Sequence, residues 1–255
     1  IVGDSPMRLT PDATSLQNWA SNVNLAVEDN DNGLVSTDEY LGVFYPSGFT
    51  SDNFGNNVVV PSSHMMLRTI ALSDQVSFPW FAPAGTRRGG ITNASSTGYI
   101  SNEGEFVSTA LNEGQRDTLY SNNVNPITFI TGAGLVNYGQ KTRFAGSSAL
   151  DRINVARLVI YMRSQLNKLA RPYVFEPNDK ITRDEIKAQA ESLLLELVGN
   201  RAIYDFLVVC DESNNTPTRI DRNELYLDIA IEPVKAVEFI YVPLRLKNTG
   251  EIAGL

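Results

Sequence analysis

Residues 40–72 read YLGVFYPSGFTSDNFGNNVVVPSSHMMLRTIAL, and their punctuation decides the fold class. Tyr40 to Tyr45 is a short apolar and aromatic run closed by Pro46-Ser47-Gly48, the pattern of a buried strand. Val58-Val59-Val60 predicts a second strand, and Pro61-Ser62-Ser63 opens a helix running through Leu72. Upstream, Thr10 as N-cap and Pro11 at the first helical position predict a helix over about 11–25, with Leu16, Trp19, Ala20 and Val23 on one face. Strand and helix in alternation are the rhythm of an α/β layer.

Just before this stretch lies EDNDNGLVSTDE, residues 28–39, which approaches the calcium-loop pattern D-x-[DN]-x-[DN]-G-x5-E. Glu28, Asn30, Asn32 and Glu39 fall at the first, third, fifth and twelfth positions, and Gly33 at the turn. Such a loop needs a helix on each side to hold six to eight oxygens around one cation. Here the exit is the apolar run at 40–45, so the segment reads as a solvated acidic connection, with a calcium-dependent binding module as the alternative.

Residues 78–90, FPWFAPAGTRRGG, break all periodicity, and 91–112 are rich in Ser, Thr, Asn and Gly; a boundary between two units is placed here. Beyond it, a short helix near 113–121 precedes a strand at Pro126 to Ile130, and Ser148 with Asp151 starts a long helix that Pro172 ends. Thr182-Arg183-Asp184-Glu185 is a capping box for a second long helix closed by Gly199. Ile203 to Cys210 is almost continuously apolar, as a central strand covered on both faces would be. Alternation from Leu225 to Ile231, followed by AVEFIYVPLRL at 236–246, predicts a C-terminal hairpin whose last strand holds Pro243 and therefore sits at a sheet edge. Past it, Ile252 and Leu255 lie in a tail too short to form its own core, so edge and tail form a template for another chain.

The 255 residues carry a net charge of −8, which disfavours a broad polyanion-binding face and direct nucleic-acid contact. Residues 1–110 hold 11 acids against 4 bases and the remainder 18 against 17, so the acidic excess lies almost wholly in the first part. A single cysteine, Cys210, leaves no intrachain disulfide and no Cys cluster for zinc. No apolar run approaches the length of a membrane span. IVGD at the start reads as the end of a strand entering a loop, and the chain as the C-terminal part of something longer.

Catalytic patterns are thin. A Cys/His hydrolase would have to pair Cys210 with His64, the only residues of their kinds, across the two units. TGAG at 131–134 follows a strand, yet Asn137 stands where the third glycine of a dinucleotide turn belongs and no helix follows. Asp184-Glu185 and Asp211-Glu212 fit helix-start and strand-end solvation. Trp80, Arg87 and Arg88, beside Phe78 and Phe81, suit the centre of a protein interface better than a nucleic-acid platform. No cofactor and no metal are called for.

The succession YLGVFYPSGF, FGNNVVVPSSHMMLRTIALSD, FPWFAPAGTRRGGI, NNVNPITFITGAGLVNYGQKTRF and SALDRINVARLVIYMRSQLNKLARPYVFEPND, ending in the hairpin and its tail, resembles the C-terminal portion of contractile phage tail sheath proteins, nearest to those of T-even-like phages. The blocks span about residues 40–247; residues 1–39 fit loosely. The resemblance implies a mixed α/β to α+β chain: a partial central α/β domain at 1–105, then an inner sheath domain at 106–255 whose mixed sheet packs with two long helices and ends in a strand-exchange arm at about 245–255.

It further implies a structural subunit that stacks as hexameric rings around a tail tube protein and contracts to drive genome ejection, meeting baseplate and tail terminator proteins, in a virion tail assembled in the host cytoplasm. Inter-subunit contacts are expected at Val242, Leu244, Leu246, Ile252, Leu255, Trp80, Arg87 and Arg88. Tube-facing or ring-to-ring contacts are expected from Arg152, Arg163, Lys168, Asp184, Lys187 and Glu191 on the two long helices.

Overall fold

A computed structural model describes residues 1–21, 38–144 and 146–241. Strand β2, Gly42–Tyr45, is buried along its whole length and lies between β1, Val2–Asp4, and β7, Asn125–Ile130, both parallel to it. Strand β8, Gly134–Asn137, extends this sheet antiparallel to β7. Alternation sorts the side chains of β2 to two faces. Val43 and Tyr45 meet Leu16, Trp19 and Ala20 of α1, Ala13–Ser21, and Leu119 of α4, Glu113–Ser121. Phe44 points the other way, toward Met65 and Met66 of α2, Ser62–Val76, and toward Ile127, Leu135 and Ile153. Gly42 lets Ile153 pack close to the strand: a Cβ here would stand 2.8 Å from Ile153 Cδ1, which would have to shift.

The α/β rhythm holds for β1, α1 and β2, but the second expected strand goes elsewhere. After Tyr45 the chain enters a separate antiparallel sheet in the order β4-β3-β5-β6, formed by Ser47–Ser51 (β3), Asn57–Val60 (β4), Ser96–Ile100 (β5) and Phe106–Ser108 (β6). Val58 to Val60 thus pair as a hairpin with β3, its turn built by Asp52 Oδ1, which accepts from the amides of Phe54 and Asn56 at 2.8 Å each. Asp4 of β1 anchors the start of α2 by accepting from the Ser63 amide at 2.7 Å and hydroxyl at 2.8 Å. The expected division at 105/106 falls in the β5–β6 turn, and the β1-β2-β7-β8 sheet takes strands from both sides of it.

A second body is built from α5, Ile153–Ala170, and α6, Lys180–Gly199, with β9, Ile203–Val209, and β10, Asp228–Pro233. Leu158, Met162, Ala190, Leu194, Leu197, Ile203 and Val208 form its core. Four local expectations need correction here. The long helix begins at Ile153, preceded by a 3-10 turn that Ser148 caps. The cap of α6 is Asp179, which accepts from the Thr182 amide at 2.9 Å, so the helix starts before the predicted box. β9 is no central strand: its single ladder partner among the described residues is β10, and Tyr204 and Leu207 are 66% and 61% exposed. β10 pairs back to β9, and residues 234–241 hold no strand, so the predicted hairpin with 236–246 does not form over the described residues.

Candidate assembly surface

The two-stranded sheet packs one face on the helices. Paired residues point to the same side, so Val208 with Ile229 and Phe206 with Ile231 face the core, whereas Leu207 with Ala230 and Asp205 with Glu232 face outward. Among the described residues each strand keeps one edge without a ladder partner, and a two-stranded ribbon is marginal by itself. Alongside β10, Val159, Met162 and Leu166 of α5 join Ile229 and Ile231 in an open apolar groove of about 410 Å³, with Arg163 and Asn167 at its rim.

From β10 the chain runs on as VKAVEFIY, residues 234–241. Val234 is tied by its amide to the Ala202 carbonyl at 3.0 Å. Over 235–241 the order of burial is inverted: Val237, Phe239, Ile240 and Tyr241 are 78%, 67%, 80% and 89% exposed, and the one residue turned inward is Glu238. Arg152 grips its carboxylate with two prongs, Nε to Oε1 at 2.5 Å and Nη2 to Oε2 at 3.0 Å. Gln140 Nε2 donates to Oε1 at 3.1 Å, and the Tyr120 hydroxyl donates as well. Burial acts to raise the Glu238 pKa, but the hydrogen bonds from Arg152, Gln140 and Tyr120 and the Arg152 charge outweigh it and hold the carboxyl below its ordinary value. Lys141 completes the cluster, donating to the Tyr120 carbonyl at 2.7 Å; burial and the nearby Arg152 guanidinium lower its pKa.

The expected contact residues part company. Val242, Leu244, Leu246, Ile252 and Leu255 lie outside the described residues, as do Glu28, Asn30 and Asn32 of the acidic loop. Trp80 is 6% exposed and belongs to the core of the α5–α6 body, stacked on Phe78 at 4.7 Å and edge-on to Tyr161 at 5.3 Å. It packs within this body. Arg88 sits over the Phe81 ring at 4.7 Å and donates to the Ala82 carbonyl, while Arg87 is exposed on α3, Gly85–Arg88. Arg152 is paired with Glu238; Arg163, Lys168 and Asp184 are exposed.

Two features had no signal in the sequence. Glu238 sits in a run whose alternation would place it outward. At the α5–α6 connection, Val174 and Phe175 are 60% and 102% exposed, Phe175 with φ 78°, a conformation bulky residues rarely adopt.

The catalytic alternatives are not assembled. His64 is exposed in the first turn of α2, whereas Cys210 is 1% exposed, and the groups acting on its thiol are Arg183, Asp211, Lys187 and Asn215. TGAG forms the β7–β8 hairpin turn, with Gly132 and Gly134 at positive φ, and a strand follows it. Glu39 lies in a turn that leads into β2, a strand rather than a helix.

A helical pair thus packs on a two-stranded sheet whose outer edges have no ladder partner among the described residues. Residues 146–247 match the family model for the phage tail sheath C-terminal domain. The tail sheath protein of Vibrio phage KVP40 is 35% identical over 249 residues, covering 94% of this chain and 35% of that protein. Over residues 146–247 the chain is similar to the phage tail sheath C-terminal domain.

The sheath relationship extends well beyond that domain. The tail sheath protein of Enterobacteria phage T4 is 32% identical over 249 residues, again 94% of this chain and 35% of that protein. The chain therefore spans about a third of the length of these curated relatives. The fold is shared with the sheath complex of an extracellular contractile injection system, PVC, in its contracted state: TM-score 0.73 and 16% identity over 96% of this chain and 63% of that one. Described elements on both sides of residue 146 thus follow the sheath fold, a mixed α/β architecture.

Proposed function

We propose that the chain is part of a structural subunit of a contractile tail sheath, which stacks as hexameric rings around a tail tube and contracts to drive the tube through the host envelope for genome ejection. The observation that supports this most is the pairing of sheath-family sequence with an unfinished sheet. β9 and β10 each leave one edge without a ladder partner among the described residues, and an exposed apolar segment follows β10. A strand supplied by another copy would use those edges, by the same main-chain hydrogen bonds that build any sheet. The work is mechanical, with no catalytic step.

In this reading the partners are other copies of the chain, the tail tube protein, and baseplate and tail terminator proteins, in a virion tail assembled in the host cytoplasm. The 146–247 domain forms the layer nearest the tube, and the exposed Arg163, Lys168 and Asp184 supply its polar contacts. Val242, Leu244, Leu246, Ile252 and Leu255 are the proposed arm residues. The test is negative-stain microscopy of the full-length protein with and without residues 245–255. Striated tubes from the intact chain and none from the truncated one are expected. Monodisperse particles from the intact chain at every salt and concentration would refute the sheath role, and normal tubes from the truncated chain would refute the arm.

A further inference from the structure

We infer that the Glu238–Arg152 pair is an anchor that turns the segment after β10 charge-side in and apolar-side out, making both residues positioning residues for assembly. The inference rests on the sheath reading but concerns a separate matter: how the apolar side chains come to be available to another subunit.

A segment rich in Val, Phe, Ile and Tyr that leaves a folded body would ordinarily settle on it through those side chains, because burial of each stabilises by roughly 1.5–3 kcal/mol. Residues 235–241 do the opposite. The only side chain directed into the body is a carboxylate, and it meets a pocket assembled from three elements: Tyr120 from the last turn of α4, Gln140 from the stretch after β8, and Arg152 at the N-cap of α5. The pocket is itself fixed, since Lys141 and Arg152 form an antiparallel bridge and the Gln140 carbonyl accepts from the Ile153 amide at 2.7 Å.

Two-pronged guanidinium–carboxylate contact constrains direction as well as distance. With Glu238 held inward, its neighbours Val237 and Phe239 stand 78% and 67% exposed. The anchor therefore acts before any partner arrives, by removing the competing arrangement in which the segment folds back onto the groove beside β10. Pre-organisation of this kind lowers the ordering cost at association. A charged anchor achieves it without using up apolar surface that the partner needs.

The experiment uses the full-length protein and two readouts: the balance between held and released segment in the unassembled subunit, read from the immobile and mobile spectral components of a nitroxide at Val237→Cys in a background without other accessible thiols, and the critical concentration for polymerisation. Glu238→Ala and Arg152→Lys are compared with the wild type; the second keeps the charge and loses the two-pronged contact. In both variants the ratio of mobile to immobile component is expected to rise at least about tenfold, the change that about 1.4 kcal/mol produces. The critical concentration is expected to rise by a similar factor, while amides of α5 and α6 keep their wild-type hydrogen-exchange rates. That last comparison separates positioning from general loss of structure, and Arg152→Lys supplies it if Glu238→Ala perturbs the fold. An unchanged ratio would overturn the anchor. A raised ratio with unchanged polymerisation would overturn its role in assembly. A wild type that never polymerises would instead sink the sheath reading, and the nitroxide comparison would still decide whether Glu238 holds the segment.

Discussion

The indole Nε1 of Trp80 donates to the carbonyl of Asn200 at 3.0 Å, joining the aperiodic FPWF segment to the C-cap of α6 across 120 residues of sequence. Trp80 is thus the stitch by which the first part of the chain enters the core of the α5–α6 body, and its ring and its N–H contribute separately. Trp80→Phe keeps most of the packing but leaves the half-buried Asn200 carbonyl without this donor, at an expected cost of about 1–2 kcal/mol. Trp80→Ala adds a cavity and is expected to cost about 3–5 kcal/mol. Urea unfolding of the two variants checks this; a Trp80→Phe variant as stable as the wild type would mean that the hydrogen bond contributes nothing.

The anchor carries a pH signature. Glu238 has a folded-state pKa below its ordinary 4.5, so its contribution is complete above that value and is lost as pH falls through the lower folded-state value. The titratable groups facing it are Arg152, Lys141 and Tyr120, and Asp151 pairs with Arg152. Arg152 keeps its charge throughout: burial works against it, but Glu238 and Asp151 raise its pKa. Burial and Glu238 raise that of Tyr120, which stays a neutral donor. The immobile fraction of a nitroxide at Val237→Cys should therefore be level from pH 7 to about 5 and fall below 4.5. In Glu238→Gln it should be low and independent of pH, and a matching acid-induced loss in that variant would assign the effect to other carboxyls.

Cys210 should be inert. Burial raises its thiol pKa and Asp211 adds to this, against the opposing influence of Arg183, Lys187 and a hydrogen bond with Asn215. Iodoacetamide at pH 8 is expected to leave the folded protein unmodified over an hour and to label it fully after denaturation. Cys210→Ala and His64→Ala should polymerise as the wild type does. Rapid labelling of the native thiol, or loss of assembly in both variants, would reopen a catalytic or redox role.

The outcome along the chain shows which forces are legible in one dimension. β2, α2, α4, α5 and α6 were readable because their signals are local: apolar periodicity, and a proline or polar cap within one turn. Even there, the cap of α6 was misread as Thr182, whose amide donates at 2.9 Å to the true cap, Asp179. β3, SGFTS, gave no signal because its backbone is held between β4 and β5 and needs little apolar surface of its own. The apolar run IYDFLVVC suggested cover on both faces, yet it stands in a two-stranded sheet where Leu207 faces out. Glu238 was illegible for the clearest reason: Arg152 and Gln140 lie 86 and 98 residues earlier, and no local rule predicts that a carboxylate will turn inward to meet them.

Glycine substitutions offer a test of the fold that does not depend on assembly. At Gly98, in the middle of β5, an added Cβ would lie 2.0 Å from the Val107 carbonyl oxygen and 2.7 Å from Phe106 Cζ. Gly98 is paired on both sides, to Ser47 of β3 and Ser108 of β6, so β5 cannot move away from β6 without disturbing β3. Gly98→Ala should therefore push β6 outward and cost about 1–3 kcal/mol, the range for inserting a methyl group where there is no room. Gly114, in the first turn of α4, is the opposite case: its added Cβ would meet only Asn112 Oδ1 at 3.6 Å, an ordinary contact. Gly114→Ala should stabilise by about 0.5–1 kcal/mol through helix propensity and a less disordered unfolded chain. The pair is read together by urea unfolding of the same background. Opposite signs support the β3-β5-β6 register, whereas a neutral Gly98→Ala would mean that β6 does not approach β5 as closely as the carbonyl of Val107 requires.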